Sequence, residues 1–339
     1  MRKPDFRRWT SAVTIGAAVL GAITIAPSAA YAGQPAQYHG DLDLQVAVGV
    51  DGVGSVKIHA KRYAPAGQAR GVQIMVPGAT YDHHYFDLDG GGDVVSQARQ
   101  AAREGWLVIA LDRVGTGESS KPPAASVTTA VQVTSIDHFV DKIDNLYRGL
   151  PIVLIGHSYG SVVAEGVAAA SDKVDALVVT GFMYRRTSPS FEGFPELTPA
   201  ATDPVLGKEK LPADYLTTAP NSRTFFYYLP NANRATVAAD ERTKTTTTAA
   251  EVPGFGQELA THAFAKAVRV PVLVVVGNHD YLYRGDDPAA FEPDQKSAFG
   301  DATTVQAVLI PNAAHDLALH RNAPFTTALI DRWASSVAA

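Results

Sequence analysis

The 339-residue sequence predicts an α/β protein: a mostly parallel central sheet flanked by helices, with an N-terminal antiparallel hairpin and an inserted cap. Three observations carry this. Short, almost wholly apolar runs such as Val72 to Val76, Ile152 to Ile155 and Val272 to Val276 alternate with helical patterns, as strands covered on both faces by helices do. Two alternating runs near the start face each other across a glycine-containing turn. A long segment between two of the apolar runs, from residue 182 to about residue 266, holds no run suited to a core strand.

In chain order, Leu44 to Val50 and Val56 to Tyr63 alternate apolar and polar residues across Asp51-Gly52-Val53-Gly54, which predicts the hairpin. Val72 to Val76 is a buried strand, Val94 to Arg103 a helix, and Trp106 to Leu111 the next strand. Ile136, Phe139, Val140, Ile143 and Leu146 form one face of a helix over Ile136 to Tyr147. Strands at Ile152 to Ile155, Ala176 to Thr180, Val272 to Val276 and Val305 to Ile310 follow, with helices at Ser161 to Ala170 and Pro324 to Val337. The sequence has no internal repeat. Residues 182–266 are rich in Pro, Thr and aromatics, including Phe191, Phe194 and Phe225-Phe226-Tyr227-Tyr228. A segment of that length inside a domain carries its own structure or serves function, so it reads as a cap between core parts 33–181 and 267–339.

The first residues have a different character. Arg2, Lys3, Arg7 and Arg8 precede the apolar run Ala12 to Ala26, and Ala30-Tyr31-Ala32 follows. Basic region, apolar region and A-x-A site in that order predict a secretory signal peptide over residues 1–32, cleaved after Ala32. At about fifteen residues the apolar run is short of the roughly twenty that span a bilayer, so no stable membrane insertion is expected after cleavage. Arg7-Arg8 raises the twin-arginine route, but Trp9-Thr10-Ser11 fits it poorly and the general secretory route is favoured. Cleavage removes four basic residues against Asp5 and takes the formal net charge from −5 to −8. A secreted, acidic chain offers nothing to attract nucleic acid or anionic lipid, and a small-molecule substrate is the expected partner. With no cysteine, disulfides, thiol nucleophiles and cysteine metal sites are excluded. Oligomeric state is not readable from these features.

Gly156-His157-Ser158-Tyr159-Gly160 sits between the apolar run Pro151 to Ile155 and a helix. A serine between glycines at a strand-to-helix joint is a nucleophile elbow, in which a strained turn exposes the hydroxyl at the carboxyl edge of a sheet. A serine hydroxyl needs a base, and the base an orienting group. His315, beyond the last strand in Pro311-Asn312-Ala313-Ala314-His315, is the candidate base, with His320 as the weaker alternative. Asp280, in Gly277-Asn278-His279-Asp280 beyond another strand, is the candidate acid; Asp286, Asp287 and Asp294 follow it. The other common place for the acid reads Gly181-Phe182-Met183-Tyr184 and holds none. Donors for a developing oxyanion are expected from the backbone N–H of Tyr159 and of Ala79, with Thr80 as alternative to the latter, in Pro77-Gly78-Ala79-Thr80. His279 beside Asp280 lacks the spaced partners of a metal site, and none is expected.

Serine, acid and histidine in that chain order resemble the α/β-hydrolase fold superfamily over roughly Val72 to Val337. The resemblance rests on Pro77-Gly78-Ala79, Asp112-Arg113-Val114-Gly115-Thr116-Gly117-Glu118-Ser119, the Ser158 pentapeptide, Gly277-Asn278-His279-Asp280 and Ala314-His315. The stretch from Asp112 to Ser119 is similar to the family's D-R-x-G-x-G-x-S loop, which shapes the floor of the active site. Where the family usually has His-Gly in the oxyanion loop, this chain has Pro77-Gly78. The resemblance implies a secreted serine esterase- or lipase-like enzyme without cofactor, cleaving a small or medium apolar carboxylic ester. Ser158 would be nucleophile, His315 general base and acid, and Asp280 its orienter. A serine at this place argues against relatives that use an aspartate nucleophile. The same triad could serve a thioesterase-like acyl transferase or cyclase, or an aminopeptidase, and a non-catalytic binding protein could use the same scaffold. The cap aromatics would either line an apolar pocket or pack the cap's own core, and His83-His84-Tyr85-Phe86 either the mouth or its loop.

Overall fold

The computed structural model describes residues 39–90, 96–184, 194–212, 214–283, 288–300 and 304–338. The expected signal peptide, the segment before the hairpin, Val94, Phe191, Asp286 and Asp287 lie outside the described residues.

The hairpin is longer than its alternating core. β1 (His39–Val50) and β2 (Gly54–Ala64) pair antiparallel from Val50↔Gly54 outward. β3 (Val72–Val76) matches the predicted strand at both ends. α1 (Gln97–Arg103) starts at a Ser96 cap, whose hydroxyl accepts from Arg99 N–H, and leads to β4 (Leu107–Leu111). α2 (Thr129–Leu146) begins seven residues before the predicted helix, because Thr128 caps it by accepting from Val131 N–H. β5 (Ile152–His157) runs two residues past the apolar stretch, directly into Ser158, and α3 (Tyr159–Ala170) starts on the next residue. β6 (Ala176–Thr180) again matches.

Between β6 and the next core strand, the segment holds a small antiparallel sheet of its own. It consists of β7 (Leu197–Pro199), β8 (Tyr215–Thr218) and β9 (Thr247–Thr248), with α4 (Arg234–Thr243), α5 (Val252–Thr261) and α6 (Ala263–Ala267). Its strands are too short and too rich in threonine to show alternation. A buried cation holds it together: Lys244 Nζ lies 2.6 Å from both Asp203 Oδ2 and Glu241 Oε1. The core then resumes with β10 (Val272–Gly277), α7 (Phe291–Ala298), β11 (Val305–Ile310) and α8 (Ala323–Val337).

The main sheet has the order β1-β2-β4-β3-β5-β6-β10-β11. β1, β2 and β4 are joined antiparallel, and every pair from β4 to β11 is parallel. Alternate side chains of the central strands go to opposite faces. Ile74, Ile152 and Leu154 pack with Phe139 and Ile143 of α2 and Val163 of α3; Met75, Val153 and Ile155 pack with Ala98 of α1 and Trp333 of α8. That is why these strands read as nearly unbroken apolar runs, with Gln73 of β3 a polar exception. The registers Val76↔Gly156, His157↔Thr180, Val275↔Thr180 and Gly277↔Ile310 bring the carboxyl ends of five strands to one edge. The loops after β3, β5, β6, β10 and β11 therefore start side by side.

Candidate active site

At the end of β5 the chain reverses within one residue. Ser158 has φ 53° and ψ −124°, a conformation costly for any residue with a Cβ, and its N–H donates to Thr180 O at 2.8 Å. The turn is possible because its neighbours are small: a Cβ on Gly160 would strike the carbonyl oxygens of Val76 and Pro77. Likewise a Cβ on Gly78 would come within 3.0 Å of the Ser158 Cβ, so the loop after β3 touches the serine through bare backbone. Ser158 is half-buried, and its hydroxyl makes no hydrogen bond among the described residues.

His315 and Asp280, predicted from separate strand ends, come together. His315 Nδ1 donates to Asp280 Oδ2 at 2.9 Å, and both side chains are almost wholly buried. Asp280 is fixed in turn by Leu282 N–H on its Oδ1 at 2.9 Å. Burial alone would push the His315 pKa down; the charge of Asp280 and its hydrogen bond, with Asp316 adding to them, outweigh burial and raise it above the usual histidine value. His320 is a different histidine. Its Nε2 accepts from Tyr228 N–H at 2.9 Å and Ala314 N–H at 3.2 Å, while its Nδ1 donates to Asp316 O, so it serves the backbone and has no free nitrogen. Asp294 lies on α7, and His279 is an exposed ring stacked 3.8 Å from Tyr228.

The two expected backbone donors face no competing acceptor. Tyr159 is the first residue of α3, so its N–H has no partner within the helix, and neither it nor the Ala79 N–H has an acceptor among the described residues. Thr80, the alternative to Ala79, is instead drawn toward the cap: Arg223 donates to its Oγ1 at 3.1 Å and its carbonyl at 2.6 Å. Ala79, Ser158 and Tyr159 line one cavity of about 210 Å³ together with Phe194, Leu197, Thr247, Glu251, Val252, Phe255 and Tyr281.

The cap aromatics divide between the two expected uses. Phe194 lines the cavity, whereas Phe226 is buried with its ring 5.6 Å from that of His315. His83 to Phe86 pack their own loop rather than the cavity. His83 Nδ1 and His59 Nδ1 bond to the two oxygens of Asp112 at 2.7 and 2.8 Å, His84 bonds to Asp82, and Tyr85 stacks 3.9 Å from His157. Burial would raise the Asp112 pKa, but the bonds from His59 and His83 hold its carboxyl well below the usual range. The donor atoms of His59, His83 and Asp112 lie within 4.8 Å of one another, close enough to be weighed as metal ligands. Each imidazole Nδ1 is already spent on an Asp112 oxygen, so the cluster reads as a hydrogen-bonded knot fastening the loop after β3 to the loop after β4.

Sequence reasoning missed three residues of this region. Tyr281 lines the cavity with its ring 4.8 Å from that of His315. Asp316 is buried beside the base, with Tyr81 OH on its Oδ2 at 2.8 Å. Glu251, a cap carboxylate in the cavity wall, receives Arg113 at 2.5 Å. Their only signal was adjacency to Asp280 and His315, or membership of an otherwise featureless segment.

A model of the alpha/beta hydrolase family matches residues 73–328. No curated protein sequence matches the chain. Among solved structures, a carboxyl esterase from Bacillus coagulans is similar with a TM-score of 0.63 at 16% identity, over 89% of this chain and 100% of that one. A thermophilic esterase from Thermogutta terrifontis gives 0.59 at 17% identity, over 87% and 100%. An epoxide hydrolase from Vigna radiata gives 0.55 at 15% identity, over 87% and 98%. Neighbours of differing chemistry at such identities speak to the fold, which the eight-stranded sheet and the family match establish together. The chain belongs to the α/β-hydrolase family.

Proposed function

We propose that the protein is an exported serine hydrolase of small apolar carboxylic esters. The observation that carries this is the His315–Asp280 bond of 2.9 Å on the same sheet edge as Ser158, whose strained turn opens into an apolar cavity. Since Asp280 occupies Nδ1, the Nε2 of His315 is the nitrogen left to take the proton as Ser158 Oγ attacks the ester carbonyl. The oxyanion then forms against the N–H groups of Ala79 and Tyr159. Collapse breaks the bond to the alcohol, which leaves with the proton from His315. Water repeats the sequence and frees Ser158 and the acid.

The cavity argues for the acyl group. At about 210 Å³ it is smaller than the roughly 300–1,000 Å³ of drug-sized ligand sites, and its wall is mainly Phe194, Leu197, Val252, Phe255 and Tyr281. Glu251 is its one carboxylate, and both oxygens are taken: Arg113 and Gln132 donate to Oε1, Thr247 and Thr248 to Oε2. A substrate ammonium finds no free anion there, which favours a neutral acyl chain over an aminopeptidase substrate.

Two measurements test the reading. A fluorophosphonate probe is expected to label the folded protein in stoichiometric amount; a folded protein that stays unlabelled overturns it. Across p-nitrophenyl esters of rising acyl length, kcat/KM is expected to climb by up to about fourfold per buried methylene and then fall for long chains, since each methylene contributes about 0.8 kcal/mol only while it fits. A preference for palmitate over butanoate would contradict the small-acyl assignment. Export follows from the amino-terminal pattern, and protein recovered from the medium is expected to begin at Gly33. An intact Met1 on that protein would refute cleavage.

A further inference from the structure

We propose that Arg113 is the positioning residue of the oxyanion hole and that Glu251 ties it to the cap, so that seating of the cap sets the aim of both backbone donors. The proposal rests on the serine-hydrolase reading above. A trans peptide is planar, so a carbonyl pinned in one direction points the N–H of the following residue in the other. Arg113 pins two successive carbonyls: its Nε donates to Pro77 O and its Nη2 to Gly78 O, each at 3.0 Å. The N–H groups of those two peptides belong to Gly78 and Ala79. One guanidinium therefore sets the direction of the donor expected from the loop after β3.

The same guanidinium reaches the other donor residue. Its carbon lies 4.8 Å from the centroid of the Tyr159 ring, and Tyr159 supplies the second N–H. The Tyr159 hydroxyl is in turn 2.9 Å from Thr129 Oγ1, which donates to Glu251 O at 2.9 Å. The remaining nitrogen, Nη1, donates to Glu251 Oε1 at 2.5 Å. Arg113 is wholly buried, so these bonds are shielded from competition by water.

Glu251 immediately precedes α5, whose Val252 and Phe255 form part of the cavity wall. Side chains that would touch the acyl group are thus one helical turn from the carboxylate that holds Arg113. The cap grips the loop a second time through Arg223 on Thr80, a residue kept at φ 62° with its carbonyl also receiving Thr245 N–H at 3.0 Å. A left-handed threonine is costly, and these cap contacts are what hold it. The oxyanion loop is therefore fixed from the core side by Arg113 and from the cap side by Arg223, with Glu251 joining the two sides.

The test is Arg113→Lys beside Glu251→Gln, with kcat expressed per site titrated to completion by the fluorophosphonate. A lysine keeps the charge but cannot hold two carbonyls and a carboxylate at once. Arg113→Lys is expected to lower kcat about 10²-fold, the loss seen when one oxyanion donor is removed. KM should stay within about threefold, since the donors act in the transition state rather than on the bound ester. Affinity for an alkyl boronic acid, which forms a tetrahedral adduct on the serine, should fall in parallel with kcat. Glu251→Gln should shift the same quantities in the same direction by about 10-fold. A lower unfolding temperature with kcat per titrated site unchanged in both variants would mean a merely structural arginine and overturn the proposal. So would a loss confined to KM. If Arg113→Lys does not fold, Glu251→Gln decides alone. A wild-type protein that neither labels nor hydrolyses esters overturns the function reading and the clamp with it; active wild type with unaffected variants overturns only the clamp.

Discussion

Ser158→Ala is expected to lower kcat on a short-chain ester by about 10⁶-fold, the scale on which triad nucleophiles are lost elsewhere, equivalent to about 8 kcal/mol of barrier. Fluorophosphonate labelling should disappear with it. The fold should not notice. The Ser158 hydroxyl makes no hydrogen bond among the described residues, so its removal leaves no buried partner unsatisfied. Alanine at φ 53° is strained in the same way as serine, because the cost comes from the Cβ that both possess. Thermal unfolding should therefore match the wild type, which separates lost chemistry from lost structure. Residual turnover of about 10³–10⁴ over water, from binding and the oxyanion donors, is compatible with the assignment. Labelling that survives in Ser158→Ala would remove Ser158 as nucleophile.

The other large effect is expected from Asp280→Asn: a loss in kcat of about 10⁴-fold, near 5.5 kcal/mol, with folding retained. The cause is the tautomer. Asp280 can only accept, so His315 must carry its proton on Nδ1 and present a bare Nε2. An asparagine amide can donate to Nδ1 and place the proton on Nε2, where the nitrogen can no longer act as a base. The pH profile gives an independent sign. In the wild type, Asp280 outweighs burial and keeps the His315 pKa above its usual value, so the acid limb of kcat/KM should lie above about pH 6.5. With the carboxylate gone, burial dominates and the imidazole stays neutral to lower pH. The acid limb of the residual activity should therefore move down, opposed only in part by Asp316. Near-normal turnover in Asp280→Asn would transfer the role to Asp286 or Asp287, a few residues later in the sequence.

Some elements were legible to the residue and others were not. β3, β6 and β11 begin and end where the β-branched and aliphatic runs do, because four or five of the residues in each are apolar and their flanks break the run. α2 was found by its apolar face but placed seven residues late, since Thr129 to Ser135 carries mixed side chains and its start is set by the Thr128 cap. In the cap, β8 and β9 bury threonines rather than aliphatics, so Thr217, Thr218, Thr247 and Thr248 gave no period to read. Phe226 and Phe194 are neighbours in composition but not in use. One packs against His315 and the other lines the cavity, although their rings lie 6.0 Å apart, so the division is set by tertiary packing rather than by composition.

The order of apolar strands and helices, the serine at a strand-to-helix joint, and a histidine and an aspartate at two later strand ends are legible in the residues alone. These are local properties: period, small residues at a tight turn, and position after a strand are written in adjacent residues. Because a parallel sheet gathers its carboxyl ends at one edge, that local information was enough to bring Ser158, Asp280 and His315 to the same sheet edge. Which histidine keeps a nitrogen unengaged, what size of cavity the serine faces and what holds the loop beside it emerge from packing between distant segments. His320 is excluded by the N–H of Tyr228 in the cap together with that of Ala314 in its own loop, and Arg113 meets Glu251 across 138 residues of chain. Pairings of that kind depend on how two segments pack after both have folded, and no period or motif in either segment encodes the other.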